Sequence, residues 1–161
     1  QDLAVADEVQ PDVDARARLA HRLHEGAALG CAGALLPALL VMGVHGGGFA
    51  QALGVATAGA VLLHAARHRQ AVAAWAGMVV GLTACVSVAL AAAGPGHPVQ
   101  WAVALLPAVA GLSAPVWAPK VTDLEPTTVV WWERAESLAL AATLPLAAHL
   151  AGLFLLIRGL G

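Results

Sequence analysis

The chain has 161 residues, of which 60% are hydrophobic and only 11% are charged, and its mean hydropathy is +0.78. A soluble domain usually carries about a quarter charged residues, so this composition indicates a membrane protein and excludes a soluble nucleic-acid-binding protein. The formal net charge of -2 is too small to indicate a charged partner.

Three long segments without Asp, Glu, Lys or Arg determine the predicted number of membrane spans. They lie between Gly26 and Ala66, between Gln70 and Pro119, and between Ser137 and Ile157. A helix needs about 20 residues to cross a hydrocarbon core of about 30 Å, so the first two segments allow two crossings each and the third allows one. We therefore predict an all-α, polytopic membrane protein with about five transmembrane helices, near residues 27–44, 50–64, 71–93, 99–112 and 138–157.

Two glycine-rich stretches interrupt the uncharged segments where helical hairpins should turn. They read HGGGFAQ at residues 45–51 and GPGHPVQ at residues 94–100, and both are rich in helix breakers. The first also resembles the glycine-rich oxyanion loop of esterases. Without a nucleophile elbow in the sequence, we interpret it as a turn.

The positive charges predict the orientation, because short cytoplasmic loops retain Lys and Arg. Arg158 lies alone beyond the fifth span, whereas the other seven basic residues fall on one side of a five-span arrangement. We therefore expect a multi-pass protein of the plasma membrane, with the N-terminus of the chain cytoplasmic and its C-terminus outside. The seven residues on the cytoplasmic side are Arg16, Arg18, Arg22, Arg67, Arg69, Lys120 and Arg134.

We divide the chain into a cytoplasmic amphipathic lead-in at residues 1–25 and a transmembrane bundle at residues 26–161. The lead-in is predicted to form a helix that runs into the first span, and it serves either to position that span or to dock a partner. A second cytoplasmic connection is predicted at residues 113–137.

Tryptophan favours the membrane interface, where its ring meets the acyl boundary and its N–H stays hydrated. The predicted interfacial anchors are Trp131, Trp132, Arg67, Arg69 and Arg158. In the predicted connection at residues 113–137, Glu133, Arg134 and Glu136 lie within one turn and can pair with one another or with a neighbouring subunit.

Small residues at helical spacing predict close helix packing. Gly26 and Gly30, and likewise Gly77 and Gly81, are separated by four positions and produce a flat groove on one helix face. We interpret both pairs as packing surfaces, and self-association is a weaker inference from them.

The last predicted span carries a proline and a histidine, which are unusual inside a membrane. At 100° per residue, Pro145, His149 and Gly152 share one face with Leu138, Ala141, Ala142, Ala148 and Leu156, and we expect that face to pack inside the bundle. His149 is then either a proton relay or a neutral imidazole hydrogen-bonded to another helix. We prefer the second interpretation, because the predicted spans contain no carboxylate to complete a relay.

No catalytic or metal-binding grouping is evident in the predicted spans, so we expect neither an enzyme nor a bound cofactor. A small-solute or proton-coupled transporter, of which this chain would be one half, is the alternative function. Its candidate residues at mid-membrane depth would be His149, Pro145, Thr83, Ser87 and Thr143.

Both ends of the chain resemble a known family. The segments VDARARLAHRLHEGAALG (residues 13–30) and ERAESLALAATLPLAAHLAGLFLLIRGLG (residues 133–161) are similar to the C-terminal half of EccD, the polytopic membrane component of actinobacterial type VII (ESX) secretion systems. Particular points of similarity are Glu136 ahead of the last span, Pro145 within it, the Gly152-Leu153-Phe154 sequence and the closing Arg158-Gly159-Leu160.

The resemblance implies a structural role. EccD proteins have a cytosolic ubiquitin-like domain followed by eleven spans, so their last five spans begin in the cytoplasm, as the charges of this chain also predict. Because the chain begins with Gln1, we expect a fragment that lacks that domain and about six spans. The implied partners are a second EccD-like chain, membrane lipid, EccB, EccE and the ATPase EccC, around a vestibule through which effector proteins are exported.

Overall fold

The computed structural model describes residues 10–67, 70–93, 98–117, 120 and 126–159, and the regular elements in these ranges are α-helices, apart from Lys120, which has a 3-10 conformation. The predicted all-α, polytopic class is thereby confirmed. The helices are α1 (Gln10–His45), α2 (Gly48–Arg67), α3 (Ala71–Ala92), α4 (Pro98–Leu112), α5 (Ala114–Trp117), α6 (Pro126–Leu150) and α7 (Leu153–Gly159).

Helices α1, α2 and α3 are each long and apolar enough to cross a membrane, and α4 is a shorter apolar helix. α1 is continuous from Gln10 to His45, so the described part of the predicted lead-in and the first predicted span belong to one helix. Residues 1–9 of the lead-in lie outside the described residues. The membrane boundaries of the spans remain predictions.

The turn between α1 and α2 needs only two residues, and glycine makes it possible. The backbone N–H of Gly46 donates to the carbonyl of Met42 at 2.8 Å and closes the last turn of α1. A Cβ on Gly46 would collide with Ala50 of the next helix. The HGGG sequence is therefore a tight connection between antiparallel helices, where a larger residue at position 46 would not fit.

α2 lies at the centre of the bundle and contacts α1, α3, α4 and α6. α6 runs antiparallel to α2, because Phe49 at the start of α2 contacts His149 at the end of α6, whereas His64 near the end of α2 contacts Glu136, which lies earlier in α6. The main buried cluster is small and aliphatic, and it consists of Ala32, Leu39, Ala58, Leu62, Val80, Ala84 and Cys85.

Glycine brings α3 close to both α1 and α2. At Gly43 of α1, an added Cβ would meet the Cα and carbonyl oxygen of Ser87 at 2.8 Å, so two backbones are in direct contact there. At Gly54 of α2, the same atom would meet Val88 at 2.6 Å. Lipid supplies no hydrophobic drive between helices, so this close van der Waals approach is what associates them.

Two buried polar groups join α4 to its neighbours. Gln51, which is 4% exposed, donates from Nε2 to the carbonyl of Gln100 at 2.7 Å and so connects the first turns of α2 and α4. The Cys85 thiol donates to the carbonyl of Pro107 at 3.1 Å. Both contacts pair polar groups that would otherwise lie unsatisfied in an apolar environment.

Near the C-terminus, the structure differs from the predicted secondary structure in two places. Residues 126–137, which the sequence places in a loop, form the first half of α6 and extend that helix beyond the last predicted span. The predicted continuous helix at 138–157 is broken at Ala151 and Gly152, where Gly152 adopts a φ of 72°. Glycine tolerates this left-handed conformation and commonly ends helices for that reason.

The face of α6 that packs on α2 also differs from the predicted one. Leu138, which the sequence analysis places on the packing face, is 73% exposed, and Pro145 is exposed as well. The side chains towards α2 are instead Glu136, Ala139 and Thr143, which follow helical spacing. The sequence of a weakly amphipathic helix does not show which of its faces is buried. In α6 the surface of α2 determines that face.

The contact at Gly43 predicts a large difference between two glycines of the same helix. Gly43→Ala should reduce the free energy of unfolding by about 1–3 kcal/mol, because the new methyl group meets backbone atoms that cannot move separately. Gly33→Ala is the matched control, since nothing lies within 4 Å of its added Cβ. It should leave stability unchanged or raise it by up to about 1 kcal/mol. Denaturant unfolding in lipid nanodiscs measures both, and equal effects would contradict the described crossing of α1 and α3.

The α2–α6 contact predicts that two introduced cysteines will form a disulfide. The Cβ positions at Gly59 and Ala139 lie 3.8 Å apart, which matches the separation found in disulfides. In a variant with Cys31→Ala and Cys85→Ala, the pair Gly59→Cys and Ala139→Cys should oxidise to an intramolecular bond, detected by peptide mass mapping. Gly59→Cys with Ala141→Cys is the control, since Ala141 is exposed. Cross-linking of the control pair would show that α6 is oriented differently.

Candidate functional site

The most extensive polar contact in the described structure joins α2 to α6. The Arg67 guanidinium donates from one terminal nitrogen to Glu136 at 3.1 Å and from the other to Glu133 at 2.8 Å. His64 Nδ1 lies 2.8 Å from the second carboxylate oxygen of Glu136. We call His64, Arg67, Glu133 and Glu136 the charged clamp.

Helical spacing explains why these four side chains meet. His64 and Arg67 are three residues apart in the last turns of α2, and Glu133 and Glu136 have the same separation on α6. Residues three apart lie on one face of a helix, so two antiparallel helices can align both pairs. Basic groups are also favourable at the C-terminal end of α2, where the helix dipole is negative.

The two carboxylates of the charged clamp are not equivalent. Glu136 has a side chain that is only 13% exposed and accepts from both His64 and Arg67, whereas Glu133 is 51% exposed and accepts from Arg67 alone. Water screens exposed ion pairs, so the contacts of Glu136 contribute more to holding α6 than those of Glu133. The clamp therefore depends chiefly on Glu136.

Tryptophans extend the contact of α6 beyond the charged clamp. The Trp132 ring lies with its centroid 5.5 Å from that of Trp117 on α5, and the Trp117 indole N–H donates to the carbonyl of Ala110 at 2.9 Å. Trp131 points away from this pair and is 68% exposed. The guanidinium carbon of Arg134 lies over its ring, 5.3 Å from the ring centroid. Their place at the membrane interface remains a prediction.

His149 lies at the C-terminal end of α6, thirteen residues after Glu136 of the charged clamp. Its imidazole contacts the Phe49 ring of α2, with the ring centroids 4.1 Å apart. The residue is exposed rather than enclosed by the bundle. The structure thus places His149 in an aromatic contact at the end of α2, and not on the buried face that the helical projection predicted.

The four predicted packing glycines divide into two groups. Gly77 and Gly81 contact α2, since an added Cβ would meet Ala65 at 2.9 Å and Leu62 at 2.5 Å, respectively. Gly26 and Gly30 have nothing within 4 Å of an added Cβ. The second pair therefore lies on a surface of α1 that no described part of this chain covers.

The predicted basic anchors also differ in their surroundings. Arg67 is part of the charged clamp, Arg158 is exposed near the end of α7, and Arg69 lies outside the described residues. Three or more His, Cys, Asp or Glu side chains do not come together in a metal-binding arrangement within the described ranges.

His64 is the member of the charged clamp that the sequence analysis missed. Its three-residue spacing from Arg67, which mirrors that of Glu133 and Glu136, was the available signal.

The charged clamp predicts unequal effects of removing its two carboxylate charges. Glu136→Gln should reduce the free energy of unfolding by about 1–3 kcal/mol, since hydrogen bonds to charged groups contribute that much. Glu133→Gln is the matched control and should cost less than about 1 kcal/mol, as an exposed pair does. Thermal unfolding of both variants in nanodiscs makes the comparison. A larger loss from Glu133→Gln would contradict the described geometry.

A family model described as the EccD-like transmembrane domain matches residues 2–160, which is nearly the whole sequence. Searches of curated proteins and of solved structures found no match. The resemblance inferred from the two ends of the sequence is therefore confirmed. The chain belongs to the EccD family, as a transmembrane domain of a membrane component of type VII secretion.

Proposed function

We propose that this chain is a structural subunit of a type VII secretion complex in the inner membrane, where it scaffolds the vestibule through which effector proteins are exported. The match to the EccD-like transmembrane domain over residues 2–160 carries this proposal. The energy for export comes from a partner ATPase, and the chain itself performs no catalysis. It assembles with EccB-, EccC- and EccE-type components.

The exposed surfaces support a scaffold role. Large apolar side chains point away from the bundle on several helices, among them Leu106 and Leu138 at 73% exposure and Leu112 at 80%. In a membrane these surfaces meet either lipid or other transmembrane helices. The bundle thus presents extensive apolar area to neighbours outside the chain.

The first part of α1 supplies a second kind of surface. Arg16, Arg18 and Arg22 are exposed along it, and His21 connects it to the start of α3. The His21 ring contacts Glu25 through Nε2 at 3.2 Å and Gln70 through Nδ1 at 2.9 Å. We place this end of the bundle in the cytoplasm, in accordance with the distribution of Lys and Arg, where it can contact soluble parts of the complex.

Self-association is part of the proposal, and the exposed face at Gly26 and Gly30 supports it. Glycines four residues apart let helices from two chains approach closely, and no described residue of this chain fills the space beside them. We therefore expect two EccD-like chains to meet along α1.

Affinity purification from native membranes tests the scaffold proposal. The full-length chain should copurify with EccB-, EccC- and EccE-type proteins in a large complex on blue-native gels. Recovery of a monomer that never associates with an ATPase of this type would contradict the proposal.

Copurification of two differently tagged copies tests self-association separately. Gly30→Leu should weaken the recovery of the second copy without unfolding the chain, because space is open at that site. Ala52→Leu, an exposed position on α2, is the matched control and should have no effect. Equal recovery from both variants would exclude the α1 face as the contact.

A further inference from the structure

We draw no further inference here: the strongest candidate, the cleft between α1 and α6 whose lining includes Leu35, Thr57 and Thr143, is largely apolar, its Thr143 hydroxyl already donates to the carbonyl of Leu140, and nothing in the structure shows what covers it.

Discussion

The close approach of helices at glycine holds this bundle together. Where Gly43 meets Ser87 and Gly54 meets Val88, α3 approaches α1 and α2 more closely than any larger residue would allow. In lipid, an apolar side chain gains little by leaving one hydrocarbon environment for another, so dense packing has to supply the association. The centre of the fold is accordingly built mainly from the small residues Ala, Gly, Val and Ser, together with Leu39 and Leu62, whereas many of the other Leu and Trp side chains are exposed.

α6 is attached by a different means. Between Glu136 and His149 it offers α2 small residues such as Ala139, and the specific contacts lie on either side of that stretch. The charged clamp holds the first half of α6, and the Phe49–His149 ring contact holds its C-terminal end. Ion pairs and ring contacts are directional, so they determine the rotation and height of a helix whose apolar surface alone would allow several orientations. In an EccD-family protein, this arrangement leaves the outer face of α6 for neighbours.

Particular residues show how much of this could be read from the sequence. The helical, polytopic class followed from the uncharged segments, and the position of the first turn followed from HGGGF. Gly77 and Gly81 were recognised by their spacing and do contact α2. The spacing of Gly26 and Gly30 is identical, yet they face away from the chain. The same local pattern thus has two outcomes, because spacing does not specify which helix lies opposite.

Most of the features that the sequence analysis predicted wrongly or missed depend on contacts between distant parts of the chain. The rotation of α6, the partner of His149 and the pairing of His64 with Glu136 all depend on which surfaces meet across 69 to 100 residues of sequence. The break at Gly152 also escaped the helical projection, because glycine permits a left-handed φ without requiring it.

The sequence by itself determined the environment, the helical class and the family of this protein, since hydrocarbon requires every spanning backbone to satisfy its own hydrogen bonds and helices do so locally. Tertiary structure alone decided which face of each helix is inside and which charges pair. Those features depend on complementary surfaces brought together from distant parts of the chain, and local spacing indicates candidate residues without specifying their partners.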